Sequence, residues 1–270
     1  MKITEYSAIK AFTEDQVLLV DGNGGTKNIR IGDAVQAMLD FMSPINHRTI
    51  FRGKNLGSVI TTEQKAAIQS GTFKDLWLGD YWEVNGNKWR IVDIDYWLGT
   101  GDTSMTNHHL VIMPDNSLAS VKMNDAGGTT GGYVGSSMYV THLPELLNSV
   151  IVPIFGDSLI SHREMLTNAV TSEAASAHAW YDVQIMLPNQ FMVFGSRPID
   201  ANGGGREQYA NSNTQLAAFR AFPDLITLRY AYWLRDVTSS TTFGIVNASN
   251  GAASDTSSTA HCVRPVFTIG

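Results

Sequence analysis

Two carboxylates and two histidines in the first half of the chain are the residue types that acid–base or metal chemistry would use. Asp93 and Asp95 alternate along a predicted strand, so both side chains would lie on one face, as acid–base catalysis or calcium binding requires. No third ligand accompanies them, and half-exposed aspartates are common at strand edges, which leaves a plain structural role as the alternative. His108 and His109 are neighbours that would face opposite sides of a strand. We therefore expect a structural or surface role for this pair.

Two further patterns fail as catalytic motifs. The glycine-rich stretch 124–137 lacks the lysine of a phosphate-binding P-loop, and no strand–glycine loop–helix context supports a dinucleotide fingerprint. We interpret its glycines as hinges of a surface loop. His261 and Cys262 would pair a base with a thiol, but they are chain neighbours. Cys262 also opens an apolar strand, where a buried thiol acts as a small hydrophobic group. We expect no catalytic residue, no metal site and no cofactor.

The composition of the 270-residue chain favours a β-rich, loop-rich protein. Charged residues make up only 16%, against a usual share of about 25%, and there are 24 glycines. A net charge of -6 without any basic run argues against a nucleic-acid partner. The single cysteine, Cys262, excludes an intrachain disulfide and a multi-cysteine zinc site. The N-terminus has no signal-peptide pattern and no stretch approaches 18 apolar residues, so we expect a soluble product of the cytoplasm without membrane insertion.

Residues 1–50 differ in pattern from the rest and predict a small ββα segment. A strand over residues 17–20, a glycine-rich turn and a second strand over residues 26–31 form a predicted hairpin. Asp33 is a candidate helix cap for residues 34–42, which carry apolar residues at helical spacing. So small a unit can barely bury its own apolar stripe. We therefore expect it to pack against a sister subunit or a larger particle.

Residues 51–270 predict short helices followed by short antiparallel strands, an α+β pattern. Helices are predicted over residues 62–70, around Leu143–Glu145 and over residues 214–222. The turn Asn85-Gly86 predicts the clearest hairpin, between residues 81–84 and 88–96. Further strands are predicted over residues 110–113, 180–192, 232–235, 243–246 and 263–269. Aromatic residues crowd between residues 77 and 97, and most of them are expected to be core because tryptophan rings bury large areas.

Several stretches of the chain, in order, resemble a domain common in phages of gut Gram-positive bacteria. They are Phe51–Gly57 (FRGKNLG), Gly79–Trp82 (GDYW), Trp89–Tyr96 (WRIVDIDY), Asn107–Pro114 (NHHLVIMP), Asn213–Phe219 (NTQLAAF) and Tyr232–Val237 (YWLRDV). The closing Val263–Phe267 (VRPVF) is similar to the ending of C-type-lectin-fold proteins, including phage receptor-binding proteins diversified by retroelements. The Leu-Val-Asp-Gly and Gly-Thr-Lys pieces near the start look like the attaching segment of phage fibre proteins.

The resemblance implies an α+β fold in which a small ββα attachment segment, residues 1–50, precedes a C-type-lectin-like domain, residues 51–270. The closing strand would return to pair near the beginning of that domain, with Val263, Val266 and Phe267 in the core. Arg264 would act beside them as a structural ion-pair or hydrogen-bond donor. Cys262 stands where the family usually has glycine, which puts the local turn in question. The oxidase branch of the fold that generates formylglycine needs two cysteines and is excluded.

The resemblance also implies an exposed binding face between residues 238 and 260. Its candidate ligand-binding residues are Phe243, Asn247, Asn250, Asp255 and Thr256, a mixture suited to adaptable polar contacts around an aromatic ring. The alternative is that the same stretch forms solvated turns between strands.

The function that the resemblance implies is that of a non-enzymatic virion protein of a tailed bacteriophage. It would be a head or tail fibre or decoration subunit, a homotrimer as phage fibres often are, that presents a binding domain for a host-surface glycan or protein. Residues 1–50 would attach it to capsid or tail proteins, and assembly would take place in the host cytoplasm. Two alternatives stay open: a purely structural decoration protein without ligand, and a polysaccharide-degrading enzyme that uses Asp93 and Asp95.

Overall fold

The computed structural model describes residues 16–22, 25–40, 44–199, 209–248 and 251–270. Its internal contacts divide the chain into two compact units, Met1–Asn46 and His47–Gly270. The His47 ring stacks on Trp77 with ring centroids 4.0 Å apart, and Arg48 forms an ion pair with the buried Asp93. Residues 47–50, which the sequence analysis assigns to the N-terminal segment, therefore belong with the second unit.

The first unit contains the predicted ββα arrangement. Strands β1 (Val17–Gly22) and β2 (Gly25–Arg30) pair antiparallel, and helix α1 (Ile31–Asp40) follows directly. Because the helix begins at Ile31, Asp33 lies in its first turn rather than at the predicted cap, where its charge still complements the helix dipole. The apolar residues Val35 and Met38 are 49% and 71% exposed. The predicted helix end at Met42 lies outside the described residues.

The second unit contains most of the elements. Its α-helices are α2 (Pro44–His47, at the boundary), α3 (Thr62–Gln69), α4 (Leu143–Leu146), α5 (Val152–Phe155), α6 (Gln190–Phe194) and α7 (Ala217–Ala221). The π-helical segments Met138–His142 and Leu147–Ile151 join α4 and α5 into one continuous helical stretch. Its strands are β3 (Tyr81–Val84), β4 (Asn87–Ile94), β5 (Leu110–Pro114), β6 (Ala119–Lys122), β7 (Leu159–Ile160), β8 (His162–Thr171), β9 (Ala174–Val183), β10 (Ile185–Met186), β11 (Tyr232–Val237), β12 (Thr242–Asn247), β13 (Gly251–Thr256), β14 (Ala260–Val263) and β15 (Val266–Ile269).

These strands form two sheets and one separate hairpin. The first sheet has the order β10-β15-β5-β4-β3, with β7 also paired to β15, and the second has the order β13-β12-β11-β14-β6. Strands β8 and β9 pair only with each other. Every pair is antiparallel except β11 with β14. Mostly antiparallel sheets with few, short helices make the fold α+β, as the sequence predicts.

The predicted local signals are confirmed where residue chemistry acts over a few positions. The sequence offers Thr61 or Thr62 as the cap of α3, and the structure has Thr61, which forms a capping box with Gln64. In the β3–β4 hairpin, Asn85 and Gly86 both adopt positive φ (52° and 74°), as a tight hairpin turn requires. The four tryptophans between residues 77 and 97 are all buried, so their assignment to the core is confirmed.

The interpretation of the glycine-rich stretch 124–137 as a set of surface-loop hinges holds for only part of it. Gly132 has a φ of 63°, and a Cβ there would lie 2.5 Å from the carbonyl oxygen of Thr167 in β8. The neighbouring Val134 amide donates to the same carbonyl at 3.2 Å. The hinge interpretation fits Gly127, whose added Cβ would meet nothing within 4 Å, but it is wrong for Gly132. That glycine is required because the loop packs backbone to backbone against β8.

The closing strand β15 lies inside the first sheet. Val263, Val266 and Phe267 are fully buried, so their prediction as core residues is confirmed. The pairing partners differ from the expectation. Strand β15 pairs with β5 on one side and with β10 and β7 on the other, whereas β3, the first strand of the sheet, lies at the far edge. The closing strand therefore returns to the middle of the sheet, where it can bury both of its faces.

Two segments cross side by side between the sheets. The chain leaves β5 at Pro114 and enters β6 at Ala119, and it leaves β14 at Val263 and enters β15 at Val266. The two crossings are hydrogen-bonded to each other, because the Leu118 amide donates to the Val263 carbonyl at 2.9 Å. Since each crossing links the same two sheets, this contact fixes how the sheets are joined.

Arg264 lies in the second crossing and is 1% exposed. Its Nε donates to the Pro114 carbonyl at 2.8 Å and its Nη1 donates to the Leu225 carbonyl at 2.7 Å. Its guanidinium carbon lies 5.6 Å from the ring centroid of Phe219 and 5.5 Å from that of Tyr232. Of the two roles predicted for Arg264, ion-pair partner or hydrogen-bond donor, the structure confirms the hydrogen-bond donor. Carbonyl oxygens and aromatic faces surround this buried cation.

We predict that Arg264→Leu lowers the free energy of unfolding by about 3 kcal/mol, because two buried carbonyls lose their donor and the cation–π contacts are lost. The measurement is urea unfolding followed by tryptophan fluorescence. The matched control is Arg229→Leu, at an exposed arginine without a hydrogen bond or ion pair among the described residues, which should change stability by less than about 0.5 kcal/mol. Equal effects of the two substitutions would show that Arg264 does not hold the crossing.

Candidate functional site

The two aspartates do not form the predicted pair on one strand face. Strand β4 has a bulge between Ile91 and Asp93 and ends at Ile94, so Asp95 lies beyond the strand with a φ of 53°. The alternation that would place both carboxylates on one face is therefore interrupted, and that expectation is wrong. Asp93 is also fully buried rather than half-exposed. Arg48 donates to it through Nε at 2.5 Å and Nη2 at 3.3 Å.

Asp95 instead joins the two neighbouring histidines to the end of β4. His108 contacts its Oδ2 through Nδ1 at 2.7 Å, and the backbone amide of His109 donates to its Oδ1 at 2.9 Å. The two rings diverge, as expected for adjacent residues: His108 is half-exposed, whereas His109 is buried. Each aspartate therefore accepts hydrogen bonds from its own set of donors, and each links separate segments of the chain.

A buried polar cluster surrounds Trp97. The indole ring stacks on His162 at 3.8 Å and on His109 at 6.1 Å between ring centroids. Its Nε1 donates to Glu164 at 3.0 Å, and Arg235 forms an ion pair with the same carboxylate. Burial opposes ionisation of Glu164, but the charge of Arg235 and further hydrogen bonds hold its pKa below the ordinary value. Glu164 is therefore an ionised carboxylate in the core.

His109 is the member of this cluster with a pKa far from its ordinary value. Burial lowers the pKa of His109 to about 4. The neutral ring accepts a hydrogen bond from the Trp97 amide at Nε2 (3.2 Å), so its Nδ1–H donates to the Asn107 carbonyl at 3.0 Å. Protonation would remove that acceptor and place a charge in the core.

The five residues predicted to bind ligand have different environments. Phe243 is fully buried, so it is not the exposed aromatic of a binding face, and that part of the expectation is wrong. It lies in β12, a strand whose four central residues are all buried by the core beneath the sheet. Thr256 is exposed and Asn247 is half-buried. Asn250 lies outside the described residues.

Asp255, the fifth of these residues, positions a histidine. The Nε2–H of His261 donates to Oδ2 of Asp255 at 2.8 Å, and the His261 ring packs edge-on against Trp233 at 4.7 Å. Partial burial opposes ionisation of Asp255, but the hydrogen bonds from His261 and from the Thr256 amide hold its pKa below the ordinary value. The ionised carboxylate therefore fixes the orientation of the His261 ring.

His261 forms part of the wall of an open groove of about 530 Å³, within the size range of small-molecule sites. The groove lies where β6, β14 and the residues before β11 meet. In the register Ser120 is opposite Cys262, so these two side chains share a face of the sheet. Tyr230, at the rim, is 67% exposed. The groove thus combines small hydroxyl and thiol groups with one accessible aromatic ring.

The sequence analysis did not identify this groove. Ser120 and Tyr230 lie 110 positions apart in the chain and meet only because β14 pairs with both β6 and β11. The position of Cys262, where the family usually has glycine, is not a turn. Cys262 is a regular strand residue that pairs with Ser120 and Tyr232, and it needs no glycine conformation.

Comparisons with known proteins identify no relative: no family model, no curated protein and no solved structure matches the chain. Among the described residues, no group of three or more histidine, cysteine, aspartate or glutamate side chains could hold a metal ion. No described helix has the length and apolar content needed to cross a membrane.

We predict that His109 makes stability fall as the pH decreases. Its unfolded-state pKa is about 6.5 and its folded-state pKa is about 4, so the unfolded chain binds an extra proton between these values. The contribution of neutral His109 to the free energy of unfolding is complete above pH 6.5, and about 3 kcal/mol of it is lost by pH 4. Urea midpoints between these pH values measure the slope.

The variant His109→Asn should show a shallower slope than the parent, whatever its absolute stability. His142→Asn, altered at a partly exposed ring, should keep the slope that His109 produces. Identical slopes for the parent and His109→Asn would refute the assignment.

Proposed function

We propose that this chain is a structural virion protein of a tailed bacteriophage, a head or tail fibre or decoration subunit, whose second unit binds the host surface. The observation that carries the binding role is the open groove with Tyr230 at its rim. An exposed aromatic ring beside hydroxyl groups suits a ligand that has both apolar faces and hydroxyls, as sugars do. The ordered stretches that resemble phage proteins support the virion assignment.

The C-type-lectin-like fold is part of the same proposal. Its support is the closing segment, in which Val263, Val266 and Phe267 are core residues and Arg264 is a buried donor, as the resemblance implies. The second sheet includes most of residues 238–260, the stretch that forms the binding face in the diversified relatives. The groove lies on that sheet, at β14 and β6 rather than at β12 and β13.

The first unit is the proposed attachment and assembly segment. Its helix α1 exposes Val35 and Met38, which a sister subunit or a capsid or tail protein would cover. A unit of fewer than about 50 residues buries too little apolar surface to be stable without such a partner. Many copies on one particle would turn weak individual sites into firm attachment.

We predict that light scattering gives a trimer for the full chain and a monomer for residues 47–270. This fragment retains Arg48 and therefore the ion pair with the buried Asp93, which a fragment starting at residue 51 would lose. The substitution Met38→Glu in the full chain should weaken the trimer, because it places a charge on the exposed apolar face. A monomeric full chain would contradict self-assembly and leave a virion surface as the partner of the first unit.

We predict that the labelled full chain sediments with cells of some species in a panel of gut Gram-positive bacteria. Tyr230→Ala should weaken this binding about tenfold, equivalent to about 1.4 kcal/mol. The matched controls are Phe222→Ala, at another exposed aromatic, and Thr256→Ala, on the face predicted from the sequence. Binding lost in Thr256→Ala alone would move the site to β12 and β13. No binding to any species would favour the purely structural decoration role.

A further inference from the structure

A second cavity lies beside the groove and shares part of its wall. It has a volume of about 320 Å³ and includes Ser117 and Leu118, which also line the groove. These two residues belong to the crossing between β5 and β6, where the Ser117 hydroxyl donates to the Ala119 carbonyl at 2.6 Å. The two cavities are therefore neighbours across a segment that is held by both sheets.

The second cavity has a wall of amide side chains. Asn85, Asn87 and Asn116 line it, and the Asn87 Oδ1 accepts a hydrogen bond from the backbone amide of Asn116 at 3.3 Å. Trp89 also contributes to the wall, and its buried Nε1–H has no hydrogen-bond partner among the described residues. Side-chain amides donate and accept hydrogen bonds at once, as a ligand with many hydroxyl groups requires.

The charge of the side chains in the two walls distinguishes a neutral ligand from a charged one. Among the described residues, neither lining set includes aspartate, glutamate, lysine or arginine, and the ring of His261 is bonded to Asp255. Two other cavities of similar size, about 330 and 300 Å³, both include Asp182, and the larger also includes Arg163. A charged ligand would find no counter-charge among the side chains that line the groove and its neighbour.

We propose that the groove and the adjacent cavity are two consecutive subsites for one chain of neutral sugar residues, which crosses the Ser117–Leu118 segment. Tyr230 stacks on a sugar ring in the groove, and the asparagines bond hydroxyl groups in the cavity. This inference rests on the proposed host-surface role and specifies its ligand class. A ligand that occupies both subsites binds more tightly than one that occupies either, because the second contact is intramolecular.

The test is binding of the labelled full chain to an array of immobilised linear oligosaccharides. Neutral series and anionic series, with uronic acids or phosphodiesters, are printed from the monosaccharide upward. At least one neutral series should bind, with affinity that rises when the oligomer becomes long enough to reach both subsites. Binding should not weaken in high salt, because no ion pair contributes.

Two variants address the subsites separately. Tyr230→Ala removes an exposed ring from the groove, and Asn85→Gly removes an amide from the cavity at a positive-φ position that glycine adopts freely. Each should weaken the binding of long oligomers about tenfold. Tyr230→Ala should leave unchanged the binding of short oligomers that occupy the cavity alone. The control Asn213→Ala changes an exposed asparagine that lines neither the groove nor the cavity and should leave binding unchanged.

The outcomes separate this inference from the proposed function. Binding to anionic series only, no length dependence, or full binding by Asn85→Gly would overturn the two-subsite inference. If the parent chain still sediments with bacterial cells in those cases, the host-surface role stands and its ligand is of another class. Failure on every series of the array together with failure on every cell type overturns both.

Discussion

The contact between the two crossing segments is the constraint on which the second unit depends. Arg264 is a cation removed from water, so its donors must find acceptors inside the protein, and it finds them in the Pro114 and Leu225 carbonyls. Those bonds fix the end of β5, the turn after α7 and the start of β15 relative to one another. The crossing between β5 and β6, which begins at the Pro114 that Arg264 bonds, includes Ser117 and Leu118 and so forms the wall shared by the two proposed subsites.

Several charged residues form ion pairs that are partly or fully buried. Arg52 contacts both Asp75 and Asp80, Arg90 contacts Asp115, and Arg235 contacts the buried Glu164. Such pairs contribute little net stability, but breaking one leaves an uncompensated charge and is strongly destabilising. They therefore fix which segments meet. The groove and its neighbouring cavity are lined by amides, hydroxyls, aromatic rings and aliphatic groups, and this uncharged lining is why their chemistry favours a neutral ligand.

The proposed function joins these features. The first unit, with an exposed apolar helix face, would assemble and attach the subunit, and the second would present the binding surface. Weak subsites suffice when many copies act together on one particle. The pH dependence of the Trp97 cluster is separate from this role, since it concerns the stability of the core beneath the sheets.

The sequence by itself determined the features that depend on nearest neighbours along the chain. The α+β class, the Asn85-Gly86 turn and the buried tryptophans all follow from local spacing and side-chain chemistry. The tertiary structure alone decided where β6 and β13 lie and how β14 joins β6 to β11. It also decided that Phe243 is core and that Asp93 and Asp95 are apart. These outcomes depend on strand order and on a single bulge in β4, because pairing between segments over 100 positions apart leaves no local periodicity to read.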